Sequence, residues 1–158
     1  MTTAANPQEA KMADTGDNPQ EVRLALSKLA NCPPEPHPEL NGYLLQSDNL
    51  DPIYLVVDGK RCHVPDPQTF KNLFIDGTRA SQSPLIDVVI LGTPLETGAL
   101  LIKADGDPTY YLLSNGMKRG IPNPTILGQY KFDSAKVRSF PKIVINSIKD
   151  GPNIPGRS

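Results

Sequence analysis

The sequence predicts an α+β protein, mostly antiparallel β, made of two tandem β-hairpin plus short-helix units that share a core and follow a helical N-terminal arm. Three observations carry this reading. Seventeen prolines and twelve glycines beside nine aromatic residues describe many short elements joined by turns. The run "DPIYLVVDGKRCHVPDP", Asp51 to Pro67, is echoed 56 residues later by "DPTYYLLSNGMKRGIPNP", Asp107 to Pro124. A chain of 158 residues buries one sizeable core or two small ones, and a unit of this length is marginal alone, so the two copies are expected to pack together.

The arm, residues 1–41, carries Glu9, Asp14, Asp17, Glu21, Glu35 and Glu39 against Lys11, Arg23 and Lys28, while the remainder of the chain is slightly basic. Its first part is poor in large apolar residues and is expected to be mobile. "NPQE" occurs at Asn6 and again at Asn18, each time an N-cap residue, a proline at N1 and a glutamate at N3, so both runs should start helices. After the second, Val22, Ala25, Leu26 and Leu29 form one apolar stripe, predicting an amphipathic helix to about Asn31. "CPPEPHPEL" then holds four prolines, which predicts an extended linker without helix or sheet.

The β-rich domain, 42–158, is expected to divide into units at about 42–97 and 98–158, with "GYLL" over "GALL" and Asp51-Pro52 over Asp107-Pro108. In the first unit Asp58-Gly59 is a two-residue type I′ turn signal between β-prone runs. The second copy is one residue longer, and a slip of one would exchange the two faces of a strand. Reading Ser114-Asn115-Gly116 as a three-residue loop closed by a bulge keeps the register, with Leu113 facing Met117. The core face is then Ile53, Leu55, Val57, Cys62 and Val64 in one unit and Thr109, Tyr111, Leu113, Met117 and Ile121 in the other. Asp66-Pro67 and Asn123-Pro124 supply the N-cap and N1 of a short helix after each hairpin, docked by Phe70, Leu73 and Phe74 or by Ile126, Leu127 and Tyr130. "IDVVILG" and "KIVINSI" are expected to add a strand each.

A formal net charge of -1 lacks the basic excess that drives counterion release, which argues against nucleic acid as a partner. No apolar stretch approaches a membrane span, and no signal peptide is legible, so the expectation is a cytoplasmic protein with export by another route left open. Cys32 and Cys62 are too few for a disulfide framework and suit two free thiols as readily as one bridge; with no signal peptide legible, reduced thiols are favoured and Cys62 is expected to face inward unpaired. Nucleotide-loop, serine-elbow and zinc-helix motifs do not occur, and no cofactor signature is present. The predicted class is therefore non-enzymatic. His37 and His63 lack a convincing ligand set, and structural roles are favoured for both. The acidic turns "SDNLDP" and "ADGDP" bring carboxylates together as a calcium site would, although Asp and Asn also favour turns by bonding their own backbone.

The outward hairpin face offers the binding candidates, Tyr54, Arg61 and His63 in the first copy and Tyr110 and Lys118 in the second. A ring with cationic neighbours suits a sugar, a carboxylate or a peptide, and two copies would bring avidity. The competing structural reading packs each ring inside its unit under the stem of the cation. The pattern Tyr-Leu-x-x-x-Gly-x-Lys-Arg-x-Ile-Pro, Tyr111 to Pro122, resembles tandem repeats of bacterial surface and secreted proteins. That resemblance implies an accessory attachment role, with glycan or a cell surface as partner. The alternative is a structural subunit of a homo-oligomer or larger assembly, its arm docking on a neighbour.

Overall fold

The computed structural model describes residues 19–29, 33–48 and 52–157. Helix α1, Pro19–Lys28, begins at the proline that the second "NPQE" run places at N1. Val22 and Leu26 are buried and Ala25 and Leu29 half-buried, so the predicted stripe is real. It packs on Leu45, Val56, Ile86, Val88 and Val89 of its own chain. The first "NPQE" run and Cys32 lie outside the described residues.

The proline segment is not the free extended linker expected of it. Prolines at alternate positions leave the amides of Glu35 and His37 available, and both are used. Glu35 exchanges backbone hydrogen bonds with Val88 and Ile90, His37 donates to the Gly59 carbonyl, and Pro38–Leu40 makes one 3-10 turn.

Two sheets of mostly antiparallel strands follow. The first contains β1 (Leu44–Gln46), β2 (Ile53–Val57), β3 (Lys60–His63) and β4 (Ser81–Gln82), in the order β3-β2-β1-β4. The second contains β5 (Leu100–Ala104), β6 (Tyr110–Ser114), β7 (Met117–Ile121), β8 (Arg138–Phe140) and β9 (Lys149–Asp150), in the order β9-β7-β6-β5-β8. Their registers correspond. Leu44 pairs with Leu55 as Leu101 pairs with Leu112, Val57 with Lys60 as Ser114 with Met117, and, in parallel, Leu45 with Ser81 as Ile102 with Arg138. Every partner sits 57 positions on, not the 56 of the sequence alignment.

That single residue corrects the second hairpin. Asn115 and Gly116 have φ of 57° and 75°, against 56° and 73° for Asp58 and Gly59, so both turns are two-residue type I′. No bulge forms, and Ser114 rather than Leu113 faces Met117. The faces of β6 therefore exchange as a slip of one demands, while Ile121 on β7 stays in the core as expected. Leu112 and Ile121, with Tyr110 against them, join the central core, whereas Tyr111 and Leu113 pack around Ile102 and Ile145 on the other side of the sheet. In the first unit Leu55, Val57, Cys62 and Val64 lie in the central core as predicted.

Both hairpins lead into the predicted helices, α2 (Pro67–Leu73) and α3 (Pro124–Gln129). The Asp66 carboxylate accepts from the Thr69 amide at 2.8 Å and the Asn123 side chain from the Ile126 amide at 2.9 Å. Neither "IDVVILG" nor "KIVINSI" forms the expected strand; the first makes only isolated bridges at Val89 and Leu91. The first opens with a 3-10 turn at Ile86–Val88 and the second is mostly helix α4, Lys142–Asn146, each just after the Pro84 or Pro141 that favours helix initiation, and the paired strands precede them as β4 and β8.

The inner faces of the two sheets share one core, with Leu44, Leu55 and Val57 on one side and Leu101, Leu112 and Ile121 on the other. Phe74 and Phe132 stack at 5.6 Å across an antiparallel bridge between the units. Each unit's tail also crosses to the other. Glu96 binds Ser114 and Asn115, and Gly156 and Arg157 bind Asn41. Two marginal units become one body because each completes the other.

Candidate functional site

The tyrosine-cation motif recurs, with one change of residue. In the first unit the Arg61 guanidinium lies 4.8 Å from the Tyr54 ring centre. In the second Lys118 Nζ lies 5.6 Å from the ring of Tyr111, the residue in the register position of Tyr54. Tyr110 points to the opposite face, toward the shared core, so Tyr110 and Lys118 do not form one site. The cations are also occupied. Arg61 Nε donates to the Val89 carbonyl at 2.7 Å and Nη2 reaches Asp87 at 3.2 Å. Lys118 Nζ donates to the Ile148 carbonyl at 2.8 Å and to Asp150 at 2.6 Å, with its side chain 6% exposed. Both tie the return segment of their unit onto its hairpin.

Two clefts among the described residues lie at the other end of each hairpin, where the strand turns into the Pro-Asp-Pro or Pro-Asn-Pro helix start. The first measures about 1000 Å³ and the second about 590 Å³. Their linings correspond position by position. Ile53, Val64, Pro65, Asp66, Pro67 and Phe70 in the first stand where Tyr110, Ile121, Pro122, Asn123, Pro124 and Leu127 stand in the second. His63 lines the first cleft and Tyr110 the second, so two of the five predicted residues reach a cavity, one in each unit.

The first cleft differs in charge. Around its apolar floor stand Arg23 from α1, His63 at the end of β3, Lys71 from α2 and Arg79 from the loop before β4. Arg23 donates to the Gln82 carbonyl and pairs with Asp48 at 3.6 Å. His63 touches the Tyr54 ring, 5.9 Å away centre to centre. Neither Lys71 nor Arg79 makes a hydrogen bond or an ion pair among the described residues. The lining acid, Asp66, is committed to capping α2, and the Thr69 amide holds its carboxyl below the usual range. In the second unit the places of Lys71 and Arg79 are taken by Gly128 and by Lys136, whose Nζ is bound to the Phe74 carbonyl and Asp76.

Lys71, Arg79 and Arg23 were missed in the sequence because they come from three separate elements. Of the three only Lys71 left a signal, as a difference between the copies, since the second has Gly128 in its place, whereas Arg79 matches Lys136 and Arg23 lies in the arm outside the repeat. His37 is buried beside the first turn, with Nδ1 3.0 Å from Glu39 and Nε2 without a partner among the described residues. No group of three His, Cys, Asp or Glu converges as a metal site among the described residues. In the second acidic turn Asp107 accepts from the Thr109 amide, the local use that Asp makes of turns. Comparison with protein-family models, with curated proteins and with solved structures gave no match. The fold and the cleft thus define an α+β protein with a cationic cavity among its described residues. Among its described residues no helix is long and apolar enough to cross a membrane.

Proposed function

We propose that the protein is a non-enzymatic binding or attachment module that recognises a glycan or glycan-bearing surface through the first-unit cleft. One observation carries the reading: a cavity of about 1000 Å³ combines an apolar floor with polar groups that the fold leaves unspent. That is the composition of a small-ligand site, where apolar contact supplies area and a few donors supply orientation. Phe70 and the prolines 52, 65 and 67 offer flat apolar surface for the C–H face of a sugar ring, and His63, Lys71 and Arg79 offer donors to its oxygens. A hydrolytic role has less support, since Asp66 is the sole acid of the lining among the described residues and is held as a helix cap. The resemblance of Tyr111 to Pro122 to surface-protein repeats points the same way. The assembly alternative loses its motive, because the α1 stripe is already buried within the chain.

A glycan array tests this with the native protein and with Thr78→Trp, which places a large ring at the cleft. Glycans bound by the native chain and lost by the variant, at unchanged thermal stability, are the expected result. Equal binding by both proteins would move the site elsewhere.

A further inference from the structure

The ligand chemistry can be taken further, resting on that reading of the cleft. We infer that the first cleft selects an acidic glycan, one carrying a carboxylate or sulfate, and that the second cleft has no part in holding it.

The argument is the divergence of two cavities built on one plan. Both have large apolar or aromatic residues at corresponding strand positions, Ile53 and Val64 or Tyr110 and Ile121, and a proline-bounded helix start, capped by Asp66 in the first and Asn123 in the second. Only the first gathers Lys71, Arg79, His63 and Arg23. In the second, Gly120 and Gly128 replace His63 and Lys71, Lys136 is spent on Asp76, and the charged residue of the lining is Asp150. Packing does not need these cations in the first unit, since Lys71 and Arg79 are exposed and make no ion pair with a carboxylate among the described residues. A positive rim over low-dielectric walls raises the local concentration of anions, and its donors form their strongest hydrogen bonds to charged oxygen. An acidic peptide would share the charge but would look for a free sheet edge. The adjacent edge strand β4 has its Gln82 carbonyl taken by Arg23, so it offers little ladder.

Titration calorimetry on the intact chain tests the inference with four probes: hexagalacturonate, a heparin-derived hexasaccharide, neutral maltohexaose and a poly-glutamate peptide. One or both acidic saccharides should bind with a stoichiometry of one per chain and weaken sharply with salt. Lys71→Gln and Arg79→Gln should each weaken binding about tenfold, the scale of one charge-assisted hydrogen bond. Gly128→Lys, whose new side chain meets no atom within 4 Å of its Cβ, reports on the second cleft and should leave affinity unchanged. Equal binding of maltohexaose, unaffected by the two glutamine variants, would overturn the acidic inference while leaving the glycan reading intact. Failure of all three saccharides would remove both. Poly-glutamate bound as well as hexagalacturonate, or two ligands per chain, would also overturn the inference.

Discussion

Arg157 lies over the ring of Tyr43, its guanidinium carbon 3.9 Å from the centroid, so the end of the second unit closes on the start of the first. Its Nε donates to the Asn41 carbonyl at 2.7 Å and its Nη2 to the Gln129 carbonyl at 2.8 Å. Gly42, at φ +90°, lets this clamp close, since a Cβ there would stand 2.5 Å from the Gln129 oxygen. One planar cation thereby fastens three elements. Replacing Arg157 by alanine should cost roughly 2–3 kcal/mol in denaturant unfolding, from charge-assisted bonds to two carbonyls and the stacking contact. Lysine should recover less than half, because a point charge cannot serve both oxygens and the ring. A loss below about 0.5 kcal/mol for the alanine variant would show that the clamp carries no weight.

The two hairpin turns give a matched comparison. Gly59 and Gly116 share a left-handed conformation, φ +73° and +75°. A Cβ on Gly59 would approach the His37 and Pro38 backbone nitrogens to 2.8 and 2.9 Å, whereas one on Gly116 meets nothing within 4 Å. Gly116→Ala should therefore cost about 1 kcal/mol, the conformational term alone. Gly59→Ala should cost at least about 2 kcal/mol more, because backbone must move as well. Equal losses in paired unfolding curves would rule out the close approach of the proline segment to the first turn.

How these elements were legible follows from the range of the interactions that fix them. Asp66 and Asn123 cap helices through amides three residues away, and the Val22 to Leu29 stripe is likewise local, so the sequence states them directly. The hairpin register is not local. Matching Gly98 to Gly42 and Asp107-Pro108 to Asp51-Pro52 placed the extra residue in the turn. In the folded sheet Thr109 takes the place of Pro52, and the whole ladder from Leu101 onward moves by one. Two consecutive residues at positive φ, Asn115 and Gly116, pin that register more strongly than the flanking identities suggested. The cationic rim was not legible for the same reason: Lys71 differs from its counterpart Gly128, but only tertiary packing brings Arg23, Lys71 and Arg79 to one rim.

Leu26 tests whether α1 belongs to its own chain. Its side chain is fully buried against the outer face of the first sheet, with Val22 beside it. Leu26→Ala should cost about 2–5 kcal/mol with no change in oligomeric state. A change of mass in sedimentation, with stability preserved, would restore the reading in which the arm serves a neighbour.

Lys118 and Asp150 separate charge from packing. Lys118 is buried while Asp150 is largely exposed, and the ammonium keeps the Ile148 carbonyl as a second partner. Removing the acid alone, as Asp150→Ala, should cost only about 1 kcal/mol. Lys118→Met retains much of the buried stem and should be close to neutral, whereas Lys118→Ala should lose about 2 kcal/mol through the cavity and the exposed Tyr111 face. Thermal unfolding of the three variants should rank them in that order of damage, methionine least and alanine at 118 most.

Cys62 is a buried free thiol whose pKa is pushed up from its ordinary 9.0 to about 11, first by burial and then by the negative charge of Asp58. Because the folded state holds the proton more tightly, the unfolded chain ionises first as pH rises through 9, and ionisation then favours unfolding. The stability contributed by the neutral thiol is complete below pH 9 and is lost progressively toward pH 11, at up to about 1.4 kcal/mol per pH unit. Tyr43 and Tyr130 are also raised by burial, but from an ordinary value of 10.0, so the interval from pH 9 to 10 isolates the cysteine best. Denaturant unfolding across that interval should show stability falling in the native protein and a flatter profile in Cys62→Ala. The same burial predicts slow reaction of Cys62 with a thiol reagent in the folded protein and fast reaction once it is unfolded. An identical alkaline slope in the alanine variant would remove Cys62 as its cause.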